Sequence, residues 1–499
     1  MKKLVIVVVV LAVILLVAPY GIGRMAESRV NKGLDKLLEQ APYLKISERR
    51  WTTGWFKSEQ VLTIELSDSF ADAFGKKMAG GILQDESAAA DAAMDAEGTE
   101  QADMPEAPMA DSDTPDAATP PDMPAEMPMK ITVKNDVLHG PVLGLSGFGL
   151  ARVDTHLELS EDVRRKIQEV FGPKPALEMS TRIGFFGGGT TTFQSEGRKL
   201  ASKDDDTEVT YETFKLAVGV SKNGDSYDVD GKLPSVVAKS KAGEHYFTMT
   251  DLTLDGDGKR VMGELYDGEF AFRIKEMKIK DPNAADGMSI EDVHYVVDTR
   301  TKDDFVNMSA QVGSGEVKSK QFSMMGFEVK EIHYNFSLRH LHAPTLEKLV
   351  VSMRDMYTTP LNDPENAEAA IFAPLKEHGA ELLKRDPEFG IDRVGLVTAD
   401  GEIVAKGVIK LLGATPEDFS GGSPMALVGK LDADITITAD IKAVEKFPNG
   451  AAAVGGAVES GYATKEGDQL VCKITFKSGQ LLVNGKPAPI PGLGGPPQE

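Results

Sequence analysis

The stretch Phe270-Ala271-Phe272-Arg273-Ile274-Lys275-Glu276-Met277-Lys278-Ile279 decides the fold class. Phe270, Phe272 and Ile274 alternate with small or charged residues, the period-two pattern of a strand with one buried face. Met277 and Ile279 fall on the other parity, so a bulge near Lys275 or Glu276 is expected to restore the register. The same alternation recurs on either side, in Phe214 to Val218, in Leu252 and Leu254, and in Phe327 to Val329. Between these runs, Asn223-Gly224, Asp255-Gly256, Asp257-Gly258 and Asp267-Gly268 read as hairpin turns, because Asn, Asp and Gly tolerate the positive φ such turns need.

The expected architecture is α+β, predominantly antiparallel β, with a large curved meandering sheet and a few helices packed on it. Residues 43–84 supply the first strands, in which Leu62, Ile64 and Leu66 alternate with Thr63 and Glu65. Residues 130–343 form the β-rich body. A helical segment follows at 344–386: Leu346, Leu349, Val350, Met353 and Tyr357 line one face, Asp363-Pro364 starts a second helix, and Pro374 kinks it. Strands resume over 387–489, through Ile403 to Leu411, Ile435 to Ile437, Val471 to Phe476 and Gln480 to Val483, with a turn at Asn484-Gly485. Residues 490–499 make a Pro/Gly tail.

The amino-terminal region has a different character. After a cytoplasmic start at 1–3, residues 4–23 give twenty positions without a charge, enough for a helix of about 30 Å, which matches a bilayer core. That reads as a transmembrane signal anchor and not a cleaved leader, since the apolar run is long and ends in Gly21-Ile22-Gly23, a poor cleavage site. Arg24, Arg29, Lys32 and Lys36 outnumber Lys2 and Lys3, so counting positive charges leaves the orientation open. Residues 24–42 read as a helical stalk, with Met25, Val30, Leu34, Leu37 and Leu38 at helical spacing.

Charge separates one further segment. The chain has 499 residues with 55 Lys+Arg against 77 Asp+Glu, a net charge of −22. Residues 85–129 hold thirteen carboxylates, seven prolines and no Lys or Arg, so the rest of the chain carries only −9. Such a composition predicts a disordered acidic insertion, whose Met104, Met109, Met123 and Met127 are at most candidate thioether ligands for Cu(I). With no segregated basic patch, a protein this acidic is not a nucleic-acid binder. A single cysteine excludes an intrachain disulfide and a cysteine-cluster metal site.

No motif fixes a reaction. His340-Leu341-His342 would place two imidazoles on one side of a strand, but His333 has the opposite parity, so packing or surface histidines are expected there. Gly187-Gly188-Gly189 lacks the Lys-Ser/Thr pair of a phosphate loop and reads as a bend. Counted from Asp255, a calcium loop would need a carboxylate where Tyr266 stands. Leu145-Ser146-Gly147 lacks the spacing of a nucleophile elbow. Cys472 shares parity with Ile474 and Phe476 and reads as a packed small side chain. No catalytic, cofactor-binding or metal residue is therefore assigned, and no cofactor is expected.

Several short motifs in a fixed order carry a resemblance: Arg50-Trp51-Thr52-Thr53-Gly54-Trp55-Phe56-Lys57-Ser58, His139-Gly140-Pro141, Ser180-Thr181-Arg182-Ile183-Gly184, the junction from Asn335 to Pro344, and Gly461-Tyr462 before Val483-Asn484-Gly485-Lys486. In these the chain resembles the YdgA-like family of proteins of unknown function, over most of its length and with 85–129 as an insertion. The resemblance implies a Gram-negative inner-membrane protein whose β-rich body is periplasmic, and it implies no enzymatic activity and no ligand residues. His139-Gly140-Pro141 reads as the proline-ended close of a strand.

The functional expectation is a non-enzymatic, membrane-anchored envelope protein that binds or helps assemble other envelope components. Its partners would be the bilayer, through residues 4–23, and envelope proteins or lipids. A second reading is a lipid-handling module with an apolar β-groove, and a third an envelope hydrolase. What covers Phe270, Phe272 and Ile274 separates the first two: helices at 344–385 packed over them exclude a groove, and an open face favours one.

Overall fold

The computed structural model describes residues 24–28, 30–35, 38, 44–66, 130–143, 147–159, 161–201, 207–240, 246–280, 287–320, 326, 328–356, 375–415, 418 and 428–489. The expected anchor at 4–23, the acidic insertion, Asp363-Pro364, Pro374 and the tail at 490–499 lie outside the described residues. Among those described, no helix is long and apolar enough to cross a membrane.

The described strands all belong to one antiparallel sheet, laid down almost entirely as a meander. It opens with β1 (Leu44–Thr53), β2 (Lys57–Leu66), β3 (Lys130–His139), β4 (Ala151–Glu158), β5 (Glu178–Ile183) and β6 (Gly189–Ser195), each paired with the next. β7 (Arg198–Ala201) continues the line of β6, and β8 (Thr207–Tyr211) that of β9 (Phe214–Val220), so that β8 and β9 share one edge of β10 (Ser226–Ser240). The long strands β11 (Tyr246–Met262), β12 (Leu265–Lys280) and β13 (Met288–Lys302) come next. β14 (Phe305–Ser314) and β15 (Val317–Ser319) together line β13 and pass to β16 (Val329–His342). β17 (Glu388–Thr398), β18 (Gly401–Leu411) and β19 (Leu431–Asp440) follow in order. β20 (Thr464–Glu466), β21 (Gln469–Lys477), β22 (Gln480–Val483) and β23 (Lys486–Pro487) close the sheet, with β21 against β19.

The meander and its one-sided strands are as the alternation predicts. Three of the four expected turns are not turns. Asn223-Gly224 does join β9 to β10, with Gly224 at φ 74°. Asp255-Gly256-Asp257-Gly258 and Asp267-Gly268 instead lie within β11 and β12. The Asp-Gly repeat is itself a period-two strand pattern, and the glycines make room for aromatic rings on the neighbouring strands: a Cβ on Gly258 would stand 2.2 Å from the Tyr227 ring, and one on Gly256 3.1 Å from that of Phe270. The hairpin joining β13 to β14 turns on Asp303 and Asp304, both at positive φ.

Cross-strand register gives the sheet two unlike faces. One rung runs Met179–Phe193–Leu216–Gly231–Leu254–Phe272–Tyr295–Val312–Tyr334–Val394–Ala405–Ile437–Cys472, residue opposite residue from β5 to β21. The parallel rung Val218–Val229–Gly256–Phe270–Val297–Ala310–Phe336–Ile391–Gly407–Ile435–Ile474 is equally apolar. The rungs of the other parity are mostly polar, for example Lys215–Lys232–Thr253–Arg273–His294 and Asp228–Asp257–Glu269–Asp298, while the rung between the two apolar ones mixes Asp230, Asp255, Gln311 and Asn335 with Ala271 and Val296.

No register shift occurs at Lys275 or Glu276, yet the apolar stripe does change parity there. Ile274 and Met277 are three positions apart, as are Leu252 and Met249, Val293 and Ile290, and Ile332 and Val329, so two residues lie between each pair. Each neighbouring strand carries an interruption at the same level, so the pairing resumes in unchanged register. The line runs through Glu196-Gly197, Glu212-Thr213, Pro234, Asp251, Lys275, Asp292 and Gly315-Glu316 to Lys330, with Asp251 and Asp292 left-handed at φ 49° and 50°. It is a crease across the sheet from β6/β7 to β16. Ile290 and Ile332 pack with Leu396 on the same buried pair, Val317 and Val329, so the apolar stripe stays on one face across the crease.

Glu316 sits on this crease between Lys318 Nζ at 2.6 Å and Lys330 Nζ at 2.8 Å, and their hydrogen bonds hold its carboxyl at about 2 against an ordinary value of 4.5. A carboxyl held below its unfolded value stabilises the fold above about pH 4.5, and that contribution fades as pH falls towards about 2. Glu316→Gln is therefore expected to lower the thermal midpoint at pH 6 and to have a smaller effect at pH 3. An equal deficit at both pH values would count against this assignment.

The helices are few and peripheral. α1 (Glu161–Phe171) stands between β4 and β5. α2 (Ala343–Met356) follows β16 directly, and α3 (Ala380–Leu383) is preceded by a π-helical turn at Leu375–Gly379. α4 (Ile441–Glu445) and α5 (Gly450–Glu459) join β19 to β20. Leu346 and Val350 of α2 and Leu382 of α3 pack on Leu265, Val306, Leu341 and Ala343 at the hairpin ends of β11 to β16. At the start of the sheet, Ala26, which is fully buried in the amino-terminal helix, packs on Val137, Ala151 and Val153 beside Trp51 and Ile183.

Candidate functional site

The apolar face is the largest feature the fold builds, and the described helices leave its middle open. α2 and α3 cap Leu265 and Val306 but are not packed on Phe270, Phe272 or Ile274. Ile274 is buried among its neighbours, while Phe270, Tyr295, Val312, Leu338 and Phe389 are exposed and Tyr334 keeps 50% of its surface accessible. Isolated apolar side chains on a surface are ordinary; a contiguous apolar patch of this extent marks a binding surface. From β5 to β21 the face runs about 60 Å at ~4.8 Å per strand.

At the other end of the sheet three of the ordered motifs converge, those at 50–58, 139–141 and 180–184. His139 is 2% exposed, and its Nε2 lies 2.9 Å from Ser58 Oγ and its Nδ1 3.2 Å from Trp55 O. Its backbone N–H donates to Phe56 O at 2.8 Å. Thus His139-Gly140-Pro141 does end a strand, and the imidazole also clamps the β1–β2 turn to β3. A serine beside a histidine is the geometry of an activated nucleophile. Here both side chains are buried, at 5% and 2%, and the second ring nitrogen is spent on a backbone carbonyl, so the pair holds the turn. Next to it Asn135 Nδ2 donates to Gln60 Oε1 at 2.9 Å and Thr155 Oγ1 donates to Asn135 Oδ1 at 2.7 Å, a buried polar ladder on the rung that turns apolar at Met179. Ser180 Oγ donates to Asp154 Oδ1 at 2.8 Å, and Leu150 N–H donates to Ile183 O. Asn484 Nδ2 likewise donates to Gly461 O at 3.0 Å, joining the two carboxyl-terminal motifs.

On the polar face a cleft of about 1260 Å³ lies under α1. Leu157, Ile167 and Leu177 line it together with Arg152, His156, Arg164, Asp136 and Asp154. Beside it, at the crease, a shallower basin of about 980 Å³ holds Lys215 and Lys232, which stand directly opposite each other on β9 and β10. Ser58 also lines the α1 cleft, but it is buried and its hydroxyl is held on His139. The α1 cleft was missed from sequence, although charged residues around Ile167 and Phe171 are a helical pattern after Ser160.

The residues singled out for chemistry are dispersed. His340, left-handed at φ 60°, stacks on Phe305 at 3.9 Å and sets Nδ1 2.8 Å from Arg385 O. His342 Nδ1 meets Thr345 Oγ1 at 2.8 Å, and His333 Nε2 meets Glu331 at 2.9 Å. Among the described residues no group of three or more His, Cys, Asp or Glu is placed to hold a metal ion. Gly187 and Gly188, at φ 96° and 73°, form the β5–β6 turn. Cys472 is half-buried on the apolar face, and burial raises its thiol pKa. Leu145 and Ser146 lie outside the described residues.

Comparison with curated proteins and with solved structures finds no match. Comparison with known families matches residues 1–491 to one described as "Bacterial protein of unknown function (DUF945)". The match extends over nearly the whole chain, in keeping with the ordered motifs and the position at which each meets its neighbours, and the protein belongs to this bacterial family of unknown function.

Proposed function

We propose that the protein is a lipid-handling module that lays acyl chains along the apolar face of its sheet. The observation that carries this reading is the pair of unbroken apolar rungs with aromatic side chains left exposed between β11 and β17. The sequence alone favoured an envelope-assembly role; the uncovered Phe270 and its neighbours move the preference to lipid. At about 60 Å the face is several times the ~15 Å half-bilayer depth that one acyl chain fills. A chain of about sixteen carbons, half-buried there, gains roughly 6 kcal/mol at ~0.8 kcal/mol per fully buried methylene. In the same reading residues 4–23 anchor the protein in a bacterial inner membrane, with the sheet on the periplasmic side and no catalytic role.

Native mass spectrometry of the full chain, extracted in a mild detergent, tests this. Phospholipid masses that survive activation are expected on most of the protein. Uniformly empty chains would reject the lipid reading and return the face to protein partners.

A further inference from the structure

We infer that the loop tips at the His139 end of β1 to β6 seat in the interfacial layer of a phospholipid bilayer. Three adjacent connections present large apolar side chains there. The β1–β2 turn carries Trp55 and Phe56, each about half exposed; the β3–β4 connection carries Phe148 at 74% exposure bridged to exposed Val142; the β5–β6 turn carries Phe185 and Phe186, the latter at 88%. His139 N–H on Phe56 O and Leu150 N–H on Ile183 O place the three side by side.

The described bases of these loops are held. Gly54 N–H donates to Lys57 O, Gly140 N–H to Leu150 O, Gly149 N–H to Pro141 O and Gly184 N–H to Gly188 O, all between 2.8 and 3.1 Å. Little ordering entropy is then lost on binding. The Trp55 indole, apolar with one N–H, suits the headgroup layer, and the phenylalanines of the convex tips insert their apolar rings at the acyl boundary beneath it. Charge agrees: in a chain of net −22, residues 54–57, 140–150 and 184–188 contain no Asp or Glu, while exposed Lys57 and Arg182 flank the tips. An anionic lipid surface attracts such a patch and would repel most of the remaining surface.

Chain length fixes the occupant as a bilayer, given residues 4–23 as a span. Ala26 is buried against Val137 and Ala151, which belong to the first rungs below these loops. Three residues reach at most about 10 Å, so the loop end of β3 and β4 must lie at the surface the span leaves. Met25, next to Ala26 in sequence, is half exposed. The placement shares only the anchor with the acyl-chain reading and does not depend on that reading.

The test uses the full chain with Trp51→Phe, leaving Trp55 as the sole tryptophan, in phosphatidylcholine/phosphatidylglycerol vesicles brominated near the headgroup end of the acyl chains. Emission is expected to fall by about half or more relative to unbrominated vesicles. Because Trp51 is packed, Phe186→Trp in the otherwise native chain gives an independent probe at the most exposed tip, and its added emission should be quenched alike. Full emission from both probes in chains that float with the vesicles overturns the proposal, and a cross-linked dimer under those conditions would identify a second copy as the occupant. Chains that do not float remove the anchor and overturn it as well. Empty protein in the native mass spectrum leaves it standing.

Discussion

Phe272→Asp is expected to cut the phospholipid retained per chain at least tenfold. Phe272 stands between Leu254 and Tyr295 near the middle of the longest apolar rung. A carboxylate there must either stay solvated, which displaces the acyl chain, or be desolvated beneath it, which costs several kcal/mol. A tenfold loss needs only about 1.4 kcal/mol, so the effect should exceed detection comfortably. Thr253→Asp is the matched control, since Thr253 neighbours Leu254 and Arg273 but belongs to the polar rung between Lys232 and Arg273. Lipid retained by Thr253→Asp and lost from Phe272→Asp would assign binding to the apolar face. Equal losses from the two would mean that the aspartates act through general destabilisation, and the face would lose its role.

Gly268→Ala is expected to cost about 3 kcal/mol or more. An added Cβ would lie 1.9 Å from Asp257 O and 2.8 Å from Gly258 Cα, both backbone atoms of the paired strand. Overpacking that can be relieved by rotamers costs about 1–3 kcal/mol, but here two strands must separate. Gly485→Ala gives the scale for a true turn: that residue has φ 78° and nothing within 4 Å of the added carbon, so only backbone strain of about 1 kcal/mol is expected. Urea midpoints at unchanged slope measure both. A cost at Gly268 no larger than that at Gly485 would contradict the close packing of β11 on β12.

These glycines also show where reading the sequence succeeds and where it stops. Alternation over Phe270 to Ile274 is a local signal, and it predicted a sheet with one apolar face. Asp-Gly in β11 is equally local but ambiguous, because the same residues suit a hairpin turn and a strand that yields space to a ring. Only Tyr227 and Phe270 on neighbouring strands settle the choice, and their register is not visible in one chain segment. The parity change after Ile274 was legible; that it is shared by Leu252, Val293 and Ile332, and so needs no shift in pairing, was not. The motif residues 50–58, 139–141 and 180–184 form a recognisable set, but their meeting around buried His139 depends on antiparallel pairing across β2 to β5. The exposed tips carry no periodicity to flag them: Phe148 stands alone between Gly147 and Gly149, and Phe185-Phe186 is a pair between Gly184 and Gly187.

The crease has a consequence for how such a chain can change. A residue lost from one strand at this line, Lys275 for instance, would turn every side chain beyond it to the opposite face while its neighbours kept theirs, setting Met277 and Ile279 among charges. The damage cannot be repaired within that strand; it needs matching losses at Asp251, Asp292 and the positions beyond. The bend is thus a collective property, stored once in the sheet and written in every strand, and single-residue insertions or deletions there should be tolerated far less than in the hairpins that join the same strands.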